Sequence, residues 1–437
     1  MSAFDQIIGY DSIKSELLRF CDSFKNPEKY RQLGAKAPCG VLLHGVPGIG
    51  KTLMAECFAK ECGYATFVIR KQYSDGKFLE YITETFKEAR DNAPSVIILD
   101  DLDKFSNSDF VYRNTDEYVA VQAGIEFCKE YDVFVLATAN DIYVLPDSLL
   151  RSERFDRIIE LQEPSSAEEE KILKSYLGKT KIDKTVDIQA ILRLMSGRTC
   201  ADLEKVVNDA GLSAAYAGKN AIMHEDIFNA CIKLITGEDA STGGVTYKGA
   251  RMVAVHEAGH VVVSEFWRPG SVNLSSIAGN GNGKGGITTS SKDYRKDNAM
   301  EDLIFEISIA LAGKAATQIL LGLEDTGCKA DIQNAYNMAK TAVSDFCWNG
   351  FEAIQHGHDP SDSAKDNRDR EISELLDDIY LETLKTINEN RLLVQRVAEA
   401  LLEKTTITFR DIEQIIKETG WCVTETERRN VKCRKAC

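Results

Sequence analysis

Gly45-Val-Pro-Gly-Ile-Gly50-Lys51-Thr52 fits G-x-x-x-x-G-K-[ST] without a mismatch. The pattern demands a buried strand, a glycine loop whose N–H groups turn inward, and a helix whose N-terminus faces a phosphate. The flanks comply: 40–43 is an apolar run and 51–61 has helical periodicity. Gly45, Gly48 and Gly50 then cradle phosphate oxygens, Lys51 reaches the β- and γ-phosphates, and the Thr52 hydroxyl binds Mg²⁺. The ligand expected is a nucleotide.

The second part of such a site is a buried strand ending in an acid. Residues 96–99 are Val-Ile-Ile-Leu and lead into Asp100-Asp101, which places Asp100 at the sheet edge near the metal. Further apolar runs at 66–69 and 133–138 alternate with helical ones, the pattern of an α/β domain with a parallel sheet. The run 133–138 leads to Asn140, either a common turn residue or a side chain that positions the attacking water. Residues 149–157 read Leu-Leu-Arg-Ser-Glu-Arg-Phe-Asp-Arg. Arg154 and Arg157 suit either a solvated basic patch or arginine fingers, which often act in trans.

With 437 residues, the chain is expected to hold about three domains at roughly 150 residues each. Fifty-three Lys+Arg against 68 Asp+Glu leave a net charge of −15. That balance argues against a general nucleic-acid binder and a polybasic membrane anchor. The start lacks a secretory signal, and the longest uninterrupted apolar runs are too short to span a bilayer. The 12 cysteines are scattered without zinc-ribbon spacing, as in a reduced cytoplasmic protein. Helical patterns at 167–177, 187–195, 200–217 and 224–235 suggest a small all-α domain. Gly-Glu-Asp-Ala-Ser-Thr-Gly-Gly, 237–244, has linker composition. The region 245–419 is again largely helical, with a β/turn insert at 272–290 and a polar surface loop expected at 356–369.

His256-Glu257-Ala258-Gly259-His260 fits H-E-x-x-H within an apolar helical stretch. Spacing i, i+4 stacks both imidazoles on one helical face as ligands of one Zn²⁺. Glu257 beside the metal is the expected general base. A purely structural zinc site would need four protein ligands and no such glutamate. Glu301, Glu306, Glu324, Asp325 and Asp331 all lie at workable distances for a third ligand, and spacing alone does not choose. The stretch 279–291 fits two readings: an edge strand that pairs with an extended peptide, or an ordinary hairpin.

In their order, these motifs resemble the FtsH-type AAA+ zinc metalloproteases over about residues 4–419. The resemblance rests on the P-loop, the acidic strand, Ala-Thr-Ala-Asn at 137–140 and the arginine segment. It also rests on the helical stretch 197–215, the His-Glu-Ala-Gly-His motif and Thr-Gly-Cys-Lys-Ala-Asp-Ile-Gln at 326–333. The implied fold is an α/β P-loop NTPase (AAA+) core at 1–165 and a helical lid at 166–236. A linker at 237–247 leads to a mainly α-helical zinc metalloprotease domain at 248–419, with a peripheral tail at 420–437. The resemblance makes Asn140 the first sensor and Arg154 and Arg157 fingers toward a neighbouring subunit. Ile8 and Gly9 would flank adenine, and Asp331 would complete the zinc set with His256 and His260. Thr317 and Gln318 stand where the family usually has two glutamates.

The implied activity is an ATP-dependent zinc endopeptidase, homo-hexameric, acting on unfolded or tagged proteins. An ATP-driven remodeller or a nucleotide-gated scaffold is the alternative. Asp101 replaces the family's longer glutamate, which implies slow hydrolysis, and Tyr73 stands in the region of the pore loop. No membrane helix precedes the ATPase module here, so the expected location is cytoplasmic, or membrane-associated if an N-terminal anchor has been removed.

Overall fold

A computed structural model describes residues 2–422 apart from 36–37, 39, 72–76, 106–115, 152–153, 238–248, 279–284, 292–299, 325 and 349–361. Tyr73, Asp325, the linker at 238–247 and most of the tail lie outside the described residues. The chain divides into two units, one of 1–180 with 198–205, the other of 181–197 with 206–437.

In the first unit, five strands alternate with helices: β1 (Gly40–His44), β2 (Ala65–Arg70), β3 (Ser95–Asp100), β4 (Val133–Ala139) and β5 (Arg157–Glu160). They pair in the order β2-β3-β4-β1-β5, every pairing parallel. Strands β3 and β4 are buried along their whole length, as central strands covered on both faces must be. The side chains alternate between two cores, as a period of two requires. Val41, Leu43, Val96, Ile98 and Leu136 face helices α1 (Asp11–Lys25) and α3 (Lys51–Cys62), meeting Leu17, Met54 and Phe58. Leu42, Ile97, Leu99 and Val135 face α4 (Lys77–Asp91) and α5 (Asp116–Cys128), meeting Phe78, Ile82, Phe86 and Val121. A short α2 (Pro27–Arg31) follows α1, and α6 (Ser166–Gly178) starts from a Ser165–Glu168 capping box.

The helical patterns after residue 166 form as expected: α6, α7 (Ile188–Leu194), α8 (Cys200–Tyr216) and α9 (His224–Thr236). Two features differ from the sequence reading. Strand β5 starts at Arg157, the last residue of the arginine-rich segment, and runs through residues that the sequence reading assigns to no strand. Residues 362–369, expected as part of a surface loop, belong to α13 (Asp362–Glu389). Their stretch is polar because the helix first reaches the core at Ile372, followed by Leu375 and Ile379.

In the second unit, α10 (Ala250–Trp267) is buried along almost its whole length from Ala254. It packs against α11 (Met300–Leu321) and α14 (Arg391–Lys404). Gly259 sits where the helices cross: a Cβ there would lie 2.5 Å from the Ala312 carbonyl oxygen and 2.7 Å from Ala316 Cβ. The outer face of α11 receives α12 (Lys329–Ser344) and α13 around Ile307, Leu311, Ala339 and Val343. Helix α11 alone among the described residues is long and apolar enough to cross a membrane, but it serves here as a core helix. The insert forms β6 (Val272–Ser276) and β7 (Ile287–Ser290), which join β8 (Thr406–Thr408) in an antiparallel sheet of order β7-β6-β8. Buried Glu265 closes the turn into β6, accepting N–H bonds from Gly270 and Val272. Helix α15 (Phe409–Thr419) follows a Thr408–Asp411 capping box. The architecture is a parallel-sheet α/β nucleotide-binding core followed by a mainly helical domain.

Candidate functional site

The phosphate loop leaves the carboxyl end of β1, where α/β sheets open a crevice for ligands. Gly45, Gly48 and Gly50 have φ of 145°, 79° and 95°, conformations that glycine adopts without a Cβ penalty. The Lys51 ammonium donates to the Gly45 and Val46 carbonyls, each at 2.7 Å. Burial holds it below the usual lysine range. Thr199 and the start of α8 close over the loop, with the Ala201 N–H donating to the Gly48 carbonyl at 3.3 Å.

Asp100, at the end of β3, is 2% exposed. Its Oδ1 accepts the hydroxyls of Thr52 and Thr138, each at 2.8 Å, and its Oδ2 accepts Arg70. Burial works to raise this carboxyl, but the two threonines and Arg70 hold it below the ordinary carboxylate range. Asp101 follows with φ of 55°, a left-handed conformation that aspartate tolerates better than most residues. Its carboxylate pairs with Lys104 at 2.7 Å and lies 3.4 Å from the Asn140 amide nitrogen. Asn140 thus stands beside both Asp101 and Asp103.

Arg154 and Arg157 fall elsewhere. Strand β5 is parallel to β1 with Arg157 opposite Val41, so both arginines lie near the amino end of the strands, away from the phosphate loop. The Arg154 backbone packs so closely on Gly40 that a Cβ there would be 2.2 Å from the Arg154 carbonyl oxygen. The Arg154 side chain donates to the Ser148 carbonyl, and Arg157 is exposed, with Glu16 at 3.7 Å. Ile8 is half-buried, and Gly9 (φ 75°) lies against Glu168 of α6.

In the second unit, α10 places His256 and His260 one turn apart, and α12 brings Asp331 to them. The two Nε2 atoms are 3.0 Å apart, and Asp331 Oδ2 lies 3.2 Å from the first and 4.0 Å from the second. A tetrahedron with bonds of about 2.05 Å has edges of about 3.3 Å, so these donors fit a zinc ion. Three protein ligands leave a fourth position open, as in catalytic sites. His260 Nδ1 bonds the Ile309 carbonyl at 2.8 Å, which leaves Nε2 free to coordinate. Burial acts to raise the Asp331 carboxyl, but the His256 hydrogen bond and the imidazole charges hold it low. Gly313 of α11 makes room for the His256 ring: a Cβ there would lie 2.4 Å from it. Two of the other candidate acids are engaged elsewhere: Glu324 pairs with Lys314, and Glu306 lies 3.8 Å from Arg268. Thr317 is buried and bonds back to the carbonyls of Gly313 and Lys314.

Glu257 is 5% exposed and faces β7, the edge of the small sheet. The Thr288 hydroxyl donates to its Oε2 at 2.6 Å, and Ser275 Oγ lies 2.9 Å from Thr288 Oγ1. Gly286 leaves space for the carboxylate, since a Cβ there would meet Oε1 at 2.5 Å. Arg70, Thr288 and Gly313 carry no motif in the sequence; each belongs to the sites through spatial packing.

Comparison with known proteins agrees with both halves. The ATPase family associated with various cellular activities (AAA) matches residues 41–163, and Peptidase family M41 matches residues 245–415. The chain is 32% identical to the ATP-dependent zinc metalloprotease FtsH of Mesomycoplasma conjunctivae, over 94% of this chain and 58% of that protein. It is 30% identical to the FtsH of Acholeplasma laidlawii, over 94% of this chain and 68% of the relative. With FtsH 2 of Symbiobacterium thermophilum it shares 31% identity over 94% of this chain and 74% of the relative. The chain therefore spans between about half and three quarters of the length of these relatives. Two domain matches in series, together with identity along nearly the whole chain, make it a member of the FtsH family of ATP-dependent zinc metalloproteases.

Proposed function

We propose that the chain is an ATP-dependent zinc endopeptidase that unfolds, translocates and cleaves protein substrates. One observation carries this reading: three zinc-type donors and a buried glutamate converge beside an edge strand, in a chain that also holds a complete P-loop. His256, His260 and Asp331 would hold the zinc, which when bound supplies a Lewis acid to polarise a peptide carbonyl. Glu257, aligned by Thr288, takes a proton from water and returns it to the leaving amine. The outer edge of β7 offers backbone groups to an extended substrate.

In the ATPase half, Gly45, Gly48, Gly50 and Lys51 bind the phosphates, while Thr52 and Asp100 hold Mg²⁺. Ile8 and Gly9 flank the adenine. Asp101 orients the attacking water, with Asn140 as its sensor partner. Arg154 and Arg157 lie at the end of the sheet away from their own phosphate loop, which supports action on a neighbour's nucleotide and hence a homo-hexamer. The modules are a nucleotide-binding domain to 165, a lid to 236, and a protease domain at 248–419. The cysteines among the described residues form no disulfide, which fits the cytoplasmic setting the sequence suggests, with membrane association if an anchor precedes the ATPase module. The net charge of −15 gives no support for nucleic-acid binding.

The test is degradation of folded and unfolded proteins by zinc-loaded chain with and without ATP. Cleavage is expected to require ATP for folded substrates, to vanish in Glu257→Gln, and to lose ATP stimulation in Lys51→Ala. ATP turnover with no cleavage by zinc-loaded wild type would favour a remodeller instead.

A further inference from the structure

The end of β2 brings a second cation to the magnesium end of the nucleotide site. Strands β2 and β3 are in register with Arg70 directly opposite Asp100. Arg70 Nε donates to Asp100 Oδ2 at 2.8 Å, and Nη2 closes on the same oxygen. The other oxygen accepts Thr52 and Thr138. An ionised carboxylate offers about four acceptor positions, and four donors are already bonded to this one. The acid is fixed at 2% exposure, whereas the Arg70 side chain is 52% exposed and able to swing into solvent. The neighbouring cations are occupied elsewhere, Lys51 by loop carbonyls and Lys104 by Asp101.

We propose that Arg70 competes with Mg²⁺ for Asp100 and thereby sets the magnesium concentration at which nucleotide binds. The inference rests on the nucleotide-site reading given above. A divalent ion drawing on Asp100, directly or through its water shell, must displace the guanidinium, because the positive charges repel and the acceptor positions are shared. Displacing a charge-assisted contact of this kind raises the half-saturating Mg²⁺ concentration by roughly tenfold. Arg70 therefore tunes the metal requirement of the site without contacting the nucleotide.

The experiment follows binding of a fluorescent ATP analogue to the full chain while Mg²⁺ is titrated from an EDTA-buffered start. Arg70→Gln is expected to lower the half-saturating Mg²⁺ concentration about tenfold. Arg70→Lys, which keeps the charge but carries no guanidinium fork, should fall between. Melting temperature checks that both variants fold, and Lys51→Ala serves as the control for the phosphate loop. A magnesium dependence in Arg70→Gln and Arg70→Lys equal to wild type overturns the proposal while leaving the nucleotide site standing. No binding by wild type, indistinguishable from Lys51→Ala, overturns the nucleotide-site reading and the proposal with it.

Discussion

Replacing Thr288 by valine removes one hydroxyl from the proposed proteolytic site and little else. Ionised Glu257 can only accept, so Thr288 donates to it at 2.6 Å and receives in turn from Ser275 at 2.9 Å. This relay runs from a fully buried serine on β6 across to the edge strand and ends on Oε2 of the carboxylate. A hydrogen bond to a charged acceptor contributes about 1.5–3 kcal/mol. If that energy serves to hold the base in its reactive orientation, its loss lowers kcat by roughly ten- to a hundredfold. The assay is hydrolysis of a short quenched peptide, small enough to need no unfolding, by zinc-loaded protein. We expect kcat to fall with KM and zinc content nearly unchanged in Thr288→Val, and Thr288→Ser to restore most of the rate. A variant with wild-type kcat, or one altered only in KM, would refute the orienting role.

Three further outcomes follow from the same packing. Gly313→Ala drives a methyl group into the His256 ring; zinc affinity should fall roughly tenfold or more, measured by competition with a chelating dye, and an unchanged affinity would show that the ring has room to spare. Stripping the metal with a chelator should lower Tm and zinc should restore it, because an ion bound only to the folded state stabilises by mass action; a Tm indifferent to zinc would argue against the site. Asp411 is pushed up by burial but held low overall by Lys404 and Thr408. The stability it contributes is therefore present above its unfolded pKa of about 3.9 and is lost as pH falls through the lower folded value. Asp411→Asn should cost about 1 kcal/mol at neutral pH and flatten that acid loss, read from urea midpoints between about pH 6 and pH 3.

Parts of the molecule were legible because their chemistry is written in contiguous residues. The P-loop and the two histidines belong to single turns or helices, so spacing alone states their geometry. The proposed third metal ligand was not of that kind. Glu301, Glu306, Glu324 and Asp331 are equivalent along the chain, and the fold distinguishes them by bringing only Asp331 among these to the imidazoles. Strand β5 escaped the sequence pattern because its residues Arg-Ile-Ile-Glu are mostly exposed and lie at a sheet edge. Arg70 reads as an ordinary solvated strand end until β3 is placed beside it. Thr288 and Gly313 have no local signature at all, since their roles arise from what packs against them.

The register of β5 against β1 also gives the proposed assembly a direction. If the arginines of one copy serve the phosphate loop of the next, the damage from Arg157→Ala appears not in the altered subunit but in its neighbour. Damage from Lys51→Ala stays at home. Two inactive proteins, one of each kind, then complement each other when mixed: an intact loop in one copy meets an intact arginine in the adjacent one. Complementation succeeds at junctions of one order and fails at the reverse, so a closed mixed ring regains activity at half of its mixed junctions, whereas two variants damaged in the same subunit's own site would regain none.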